Sequence, residues 1–412
     1  MLKSMAKKTK IVVGLDIGTS KVCAAVGEMT DRGVEIIGVG SYPSQGLRKG
    51  VVVNIESTVN SIKKAVEEAE LMAGCEIHTV FTGLSGNHIK GFNSHGVVAV
   101  KNQEVCERDL DRVLDAARAV AIPTDREVLQ ILPQDYIIDD QDGIKEPLGM
   151  SGVRLEARVH IVTSSITSAQ NIVKCCNRAG LHIADIVLTP LAAAEAVLSA
   201  EERELGVALV DIGSGTTDIA VFHDGTVRHS AVLSIGGNHL TNDIATGLRT
   251  PTADAERIKQ RYGLAKASTV CGDQRVEVSG VAGKTANTIS RQILCEIIEP
   301  RLEEIFQLVQ REIAKSGYED SLASGIVMTG GSMMLPGAVE TAEQVFGMPA
   351  RLGLPTHVLG LVDVVSSPAY AASVGLVLCG MKRQEHASAR FGNDKILSKV
   401  KHRMSDWLRE FF

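Results

Sequence analysis

The sequence predicts a two-lobed α/β fold made by internal duplication. Three observations predict it. GLDIGTSK (14–21) reads as a strand ending in an Asp and a glycine turn, and VDIGSGTTD (210–218) repeats that theme in the second half. A third glycine turn, in MTGGSMML (328–335), ends another strand and opens a helix. Around these turns short apolar strands alternate with helical periods, the pattern of sheets covered by helices.

In chain order, residues 11–17 read as a buried strand, followed by strands at 21–27 and 34–40. Over 56–74 Val59, Ile62, Ala65, Val66 and Ala69 share a helical face, and Gly74 supplies the stop. HTVFTGLSG (78–86) is a strand entering a turn. From about 84 to 161 the texture changes to strand, helix (107–120) and three strand-like stretches, which predicts a small inserted α+β domain. A helix at 168–180 returns the chain to the main body. After the second DIG turn come helices at 237–248, 253–263 and near 288–315, then strand, turn and helix over 325–347. YAASVGLVLCG (370–380) predicts a packed helix of small residues. Residues 381–394 lack any period and are expected to be a flexible linker.

The totals exclude several classes. The 412 residues suffice for two to four cores. A net charge of −6 argues against a general nucleic-acid binder, which needs a basic surface. Eight cysteines occur without a CxxC, and eleven histidines without HxxxH spacing, so neither a zinc site nor a disulfide framework is expected, and a reducing cytosol is. No apolar run is long enough for a transmembrane helix. Asp16 interrupts the first apolar run too early for a signal peptide.

The DIG turns carry chemistry. Glycines let a backbone approach a bulky anion, and the N–H groups of such turns bind phosphate oxygens. Hydroxyl and Lys side chains add donors. An Asp at a strand end can hold Mg²⁺ through water, because that ion keeps much of its hydration. Two such turns from homologous halves would clamp a nucleotide's phosphates between them. A single DIG turn is as readily a plain hairpin; the repetition and the third glycine turn favour the clamp. Glu256 and Lys259, three apart on one helical face, are a nucleoside contact or a surface salt bridge.

These turns and their order resemble the actin, Hsp70 and sugar-kinase superfamily. The resemblance puts Asp16, Gly18, Thr19, Ser20 and Lys21 in a first phosphate loop. It puts Asp211, Gly213, Ser214, Gly215, Thr216 and Thr217 in a second, with Gly236 and Gly237 beside it. Gly330, Gly331, Ser332 and Met333 would form the adenosine loop, and Glu256 and Lys259 would contact adenine and ribose. The implied ligands are ATP and Mg²⁺, the ion held through water by Asp16 and Asp211.

GLDIGTSKV, GLSGNHI, PQDYIID, EPLGMSGVRLEARVH and RELGVALVDIGSGTTDIAVF resemble the FtsA family of actin-like bacterial division proteins over nearly the whole chain. That resemblance implies an actin-like ATPase fold of two RNase H-like lobes, with an FtsA-type 1C insertion at 84–161 replacing actin's 1B. Subdomain 1A would comprise 1–83, 162–195 and 366–380; 2A would comprise 196–230 and 311–365; 2B would be 231–310. Two departures stand out. Ser214 lies where relatives usually carry glycine. Thr189 lies where Hsp70 has a glutamate that helps place the attacking water, so at most weak ATPase activity is expected.

The tail, KILSKVKHRMSDWLREFF (395–412), holds the chain's single tryptophan. On a helical wheel Ile396, Leu397, Val400, Met404, Trp407, Leu408 and Phe411 fall within an arc of about 120°, with Phe412 just beyond. Its flanks are mainly cationic. The pattern predicts an amphipathic helix lying in an anionic membrane surface, rather than one packed on the protein's own core.

The implied function is an ATP-binding tether. It would hold the FtsZ ring at the cytoplasmic face of the inner membrane, at the septum, as a peripheral protein that self-associates into filaments. Arg301 and Glu304 would face the FtsZ C-terminal peptide; the alternative for that pair is an exposed helical salt bridge. The 84–161 insertion would recruit other division proteins. The rival reading is a sugar or small-acid kinase of the same superfamily.

Overall fold

A computed structural model describes residues 10–270, 272–280 and 287–391. The chain opens with an antiparallel meander of β1 (Ile11–Ile17), β2 (Lys21–Thr30) and β3 (Gly33–Pro43). A two-residue turn joins β4 (Leu47–Arg48) to β5 (Val51–Val52). Helix α1 (Ile55–Ala73) starts where the Asn54 side chain accepts the Ser57 N–H, and stops at Gly74 in the left-handed region. It leads to β6 (Thr79–Leu84).

The inserted segment holds β7 (Lys90–Ala99), α2 (Glu107–Arg118), β8 (Arg126–Ile138), β9 (Gln141–Ile144) and β10 (Arg154–Ser165). Its strands form a separate sheet in the order β7-β10-β8-β9, and α2 covers a small core of Val113, Ala117, Leu155 and Val159. The chain returns through α3 (Ile166–Arg178), β11 (His182–Leu188), α4 (Thr189–Val197) and α5 (Ala200–Leu205).

The second half builds β12 (Val207–Ile212), β13 (Thr217–His223) and β14 (Thr226–Leu233), then α6 (Gly237–Leu248) and α7 (Thr252–Tyr262). A hairpin of β15 (Arg275–Val278) and β16 (Asn287–Ser290) precedes α8 (Arg291–Ser316). There follow β17 (Ile326–Thr329), a 3₁₀ turn at Gly331–Met334, α9 (Ala338–Phe346), β18 (Ala350–Leu352), β19 (Leu359–Gly360), α10 (Val362–Val365) and α11 (Ala371–Phe391).

The duplication is visible in the sheets. The first runs β11-β6-β1-β2-β3-β19 and the second β18-β17-β12-β13-β14. In each, a three-stranded antiparallel meander is extended by two parallel strands on the side of its first strand. Both sheets carry a mostly buried central strand, IVVGLDI and VALVDI, as expected when helices cover both faces. Helices α4 and α11 lie between the sheets. Ala193, Val197, Val374 and Val377 share one core with Val12 and Ala25 of the first sheet and Leu209 and Ala220 of the second.

Two sequence boundaries are corrected. α11 continues to Phe391, so 381–391 are helical where a linker was expected; the helix needs only its own i→i−4 bonds, and Met, Lys, Arg, Gln and Glu at 381–385 are good helix formers. β19 pairs with Glu35 and Ile36 of β3, so the chain rejoins the first sheet before the expected residue 366. An edge pairing of two residues leaves no period to read. The expected tail helix, 395–412, lies outside the described residues, as does the rest of the expected linker.

Candidate functional site

The two DIG turns fold alike. At the end of β1 the Gly18 N–H donates to the Lys21 carbonyl at 3.0 Å; at the end of β12 the Gly213 N–H donates to the Thr216 carbonyl at 3.0 Å. The intervening amides of Thr19, Ser20, Ser214 and Gly215 find no protein acceptor among the described residues, which suits them to an anion. The turns face each other closely: a Cβ built on Gly215 would lie 2.6 Å from Thr19 Oγ1.

A cleft of about 910 Å³ opens between the lobes, within the size range of small-molecule sites. Asp16, Gly18, Thr19, Ser20 and Lys21 line it from the first lobe. Asp211, Gly213, Ser214, Gly215, Thr216, Gly237, Glu256, Lys259, Gly330, Gly331 and Ser332 line it from the second. Gly330 has φ 92° and ψ 158°, a conformation open essentially to glycine alone, and a Cβ there would stand 2.3 Å from Asp211 Oδ1. The Ser332 hydroxyl donates to the Gly213 carbonyl at 2.9 Å, fastening the third turn to the second.

Glu256 and Lys259 are not a solvent salt bridge. Lys259 Nζ donates to Glu256 Oε2 at 2.7 Å, Thr241 Oγ1 at 2.9 Å and the Gly237 carbonyl at 3.2 Å. Burial opposes the charge on Glu256, but Lys259, Thr241 and Gln260 outweigh it and hold the carboxyl below its usual range. The pair forms one polar wall of the cleft.

Three expected residues do not line it. The Thr217 hydroxyl donates to the Ile235 carbonyl at 2.8 Å, because strand alternation turns it away from the turn. Met333 is buried in the second lobe's core. Gly236 supports the second turn from behind, where a Cβ would meet the Gly213 carbonyl at 2.5 Å. Arg301 and Glu304 lie on α8 outside the lining, although Leu302 between them reaches it. The membrane-binding set, Ile396 to Phe412, lies outside the described residues.

The cleft adds residues that the motif reading missed, Ser85 and Asp218 above all. In the sheet register Asp211 pairs with Asp218 where Asp16 pairs with Cys23. Superposing the two DIG turns in sequence would have exposed that extra carboxylate. Burial pushes Asp16 up to about 6, with Lys21 pulling the other way. Burial also pushes Asp218 up to about 7, against hydrogen bonds from Ser85 and Thr216. Asp211 is raised well above the ordinary range by burial, then by Asp218 and Asp16. Two buried carboxyls and the half-buried Asp16, with one nearby lysine, are a donor set that a divalent cation would relieve. No group of three metal-ligating side chains stands close enough to hold an ion directly among the described residues, so Mg²⁺ would be held through water and phosphate oxygen. Ser214 Oγ is buried without a partner, a donor suited to a phosphate oxygen. Thr189 also lines the cleft, at the start of α4.

Comparison with known proteins follows the same lines. The family described as "Cell division protein FtsA" matches residues 208–375, and the "SHS2 domain inserted in FTSA" matches 86–163. The chain is 52% identical to Cell division protein FtsA of Pseudomonas aeruginosa over 410 residues, covering 98% of each chain. It is 43% identical to that of Escherichia coli K12, covering 99% of each. Among solved structures, the PilM–PilN type IV pilus biogenesis complex aligns with TM-score 0.65 at 18% identity, covering 90% of this chain and 98% of that one. MreB5 of Spiroplasma citri bound to ADP aligns with TM-score 0.56 at 15% identity, covering 93% and 99%. These two likenesses concern the fold, which is actin-like.

Proposed function

The chain belongs to the FtsA family of cell-division proteins, and on that premise we propose that it is an ATP-binding, actin-like tether of the FtsZ ring at the cytoplasmic face of the inner membrane. One observation carries the nucleotide part: two matching glycine turns, with acceptor-free amides, close on a single cleft of about 910 Å³. The first turn, with Lys21, and the second, with the Ser214 and Thr216 hydroxyls, would hold the phosphates. Asp16 and Asp211 would hold hydrated Mg²⁺, which neutralises phosphate charge when bound. The third turn with Glu256 and Lys259 would receive the nucleoside. Thr189 offers no carboxylate to aim water, so hydrolysis is slow at best.

The tail supplies the membrane part. No helix among the described residues is long and apolar enough to cross a bilayer, and the tail's sequence suits the interface instead. Each Lys or Arg near anionic lipid adds about 1 kcal/mol. A single tail therefore binds reversibly, and a filament presenting many binds firmly through avidity. The FtsZ C-terminal peptide would meet the second lobe at Arg301 and Glu304, and the insert would meet other division proteins. Flotation with anionic liposomes, with and without Mg-ATP and FtsZ, tests this reading. The expected result is that FtsZ floats only when this protein is present; failure of the pair to float would remove the tether function.

A further inference from the structure

Where the two DIG turns meet, six residues form a closed ring. Gly50, at the tip of the β4–β5 hairpin, donates its N–H to Thr19 Oγ1 at 3.0 Å. A Cβ on Gly50 would lie 2.7 Å from the Ser85 carbonyl, so the tip rests directly on the chain at the end of β6. Ser85 Oγ donates to Asp218 Oδ1 at 2.5 Å, and Thr216 Oγ1 donates to Asp218 Oδ2 at 3.0 Å. Thr216 returns to Thr19 through Gly215, whose Cα faces the Thr19 side chain.

One link of this ring is a side-chain bond between lobes. Ser85 directly follows the β6 strand of the first sheet and Asp218 stands in β13 of the second. Asp218 is buried, so water does not replace the bond until the lobes part. Ser85 and Asp218 stand on opposite lobes, so any opening, for entry or for exit, must break their bond.

We propose that Ser85 is a positioning residue that latches the two lobes together and thereby gates nucleotide exchange. The inference rests on the nucleotide reading above. Such a latch opposes parting of the lobes in either direction, so its removal speeds arrival and departure together and leaves the affinity almost unchanged. A residue that merely supported the fold, or merely held the nucleotide, would change the affinity instead.

Stopped-flow binding of a fluorescent ATP analogue to the full chain with Mg²⁺ tests this. In Ser85→Ala both association and dissociation rates are expected to rise about tenfold, the scale of losing a hydrogen bond to a carboxylate, with Kd within twofold of wild type. Ser85→Thr, which keeps the hydroxyl, returns both rates toward wild type. Ser85→Cys, close in size but a weaker donor, gives an intermediate rise and serves if Ser85→Ala does not fold. Unchanged rates would overturn the latch, and so would a lower affinity with an unchanged association rate. A wild-type chain that binds no analogue would overturn the nucleotide reading, and this inference with it.

Discussion

Arg301 grips both carboxylate oxygens of Asp243, from Nε at 2.5 Å and from Nη2 at 3.3 Å, and so ties α8 to α6. It also bonds Glu304 one turn along its own helix. The cluster is part-exposed on the second lobe, with Arg301 and Asp243 side chains 30% and 32% accessible. It is a preformed polar surface with both signs of charge.

Arg301→Ala is expected to weaken binding of the FtsZ C-terminal peptide at least tenfold. The loss in fold stability should be small, about 0.5–1 kcal/mol, because the pair is part-exposed. Fluorescence anisotropy with a labelled peptide, alongside thermal melting, measures both. Wild-type peptide affinity in a folded Arg301→Ala protein would place the peptide elsewhere.

Gly330 and Gly331 are adjacent but unequal. Gly330→Ala puts a Cβ 2.3 Å from Asp211 Oδ1 in a glycine-only conformation, whereas Gly331→Ala meets nothing closer than 3.9 Å. The first change should cost about 1–3 kcal/mol of stability and impair ATP binding; the second should fold normally. Equal melting temperatures for the two variants would contradict the geometry.

Stability should fall with pH in the nucleotide-free protein. Asp16 and Asp218 rise from 3.8 to about 6 and about 7 on folding. Each therefore holds its proton more tightly when folded, and its stabilising contribution is lost as pH climbs through those values. The melting temperature should drop between about pH 4 and 7, from the unfolded to the folded values, and drop less in Asp218→Asn, which has no proton to release. Mg-ATP should protect more at the upper end, since ion binding needs ionised carboxylates. A wild-type-minus-variant difference that does not change with pH would refute the assignment.

Deleting 395–412 should release the chain from anionic liposomes without altering ATP affinity. Retention of the truncated chain on such liposomes would show that the body itself carries a membrane surface.

The sequence alone determined the duplication and the glycine turns, because each is a local pattern. A strand period, a glycine run or a helical stripe depends only on neighbours along the chain. It also placed most of the cleft lining, since Asp16 and Asp211 stand at equivalent points of two similar segments. What the tertiary structure decided was pairing between distant segments. Thr217 and Met333 look like site residues in their motifs, but strand alternation and core packing turn them away. Ser85 looks like an ordinary strand-end serine until the second sheet brings Asp218 within 2.5 Å of it. Lys259 reads equally as a nucleoside contact or half of a surface pair until α6 supplies Thr241 and the Gly237 carbonyl. β19 shows no signal in its own two residues, and exists because β3 offers it an edge. Contacts of this kind depend on how segments far apart in the chain pack together, and no local period encodes that arrangement.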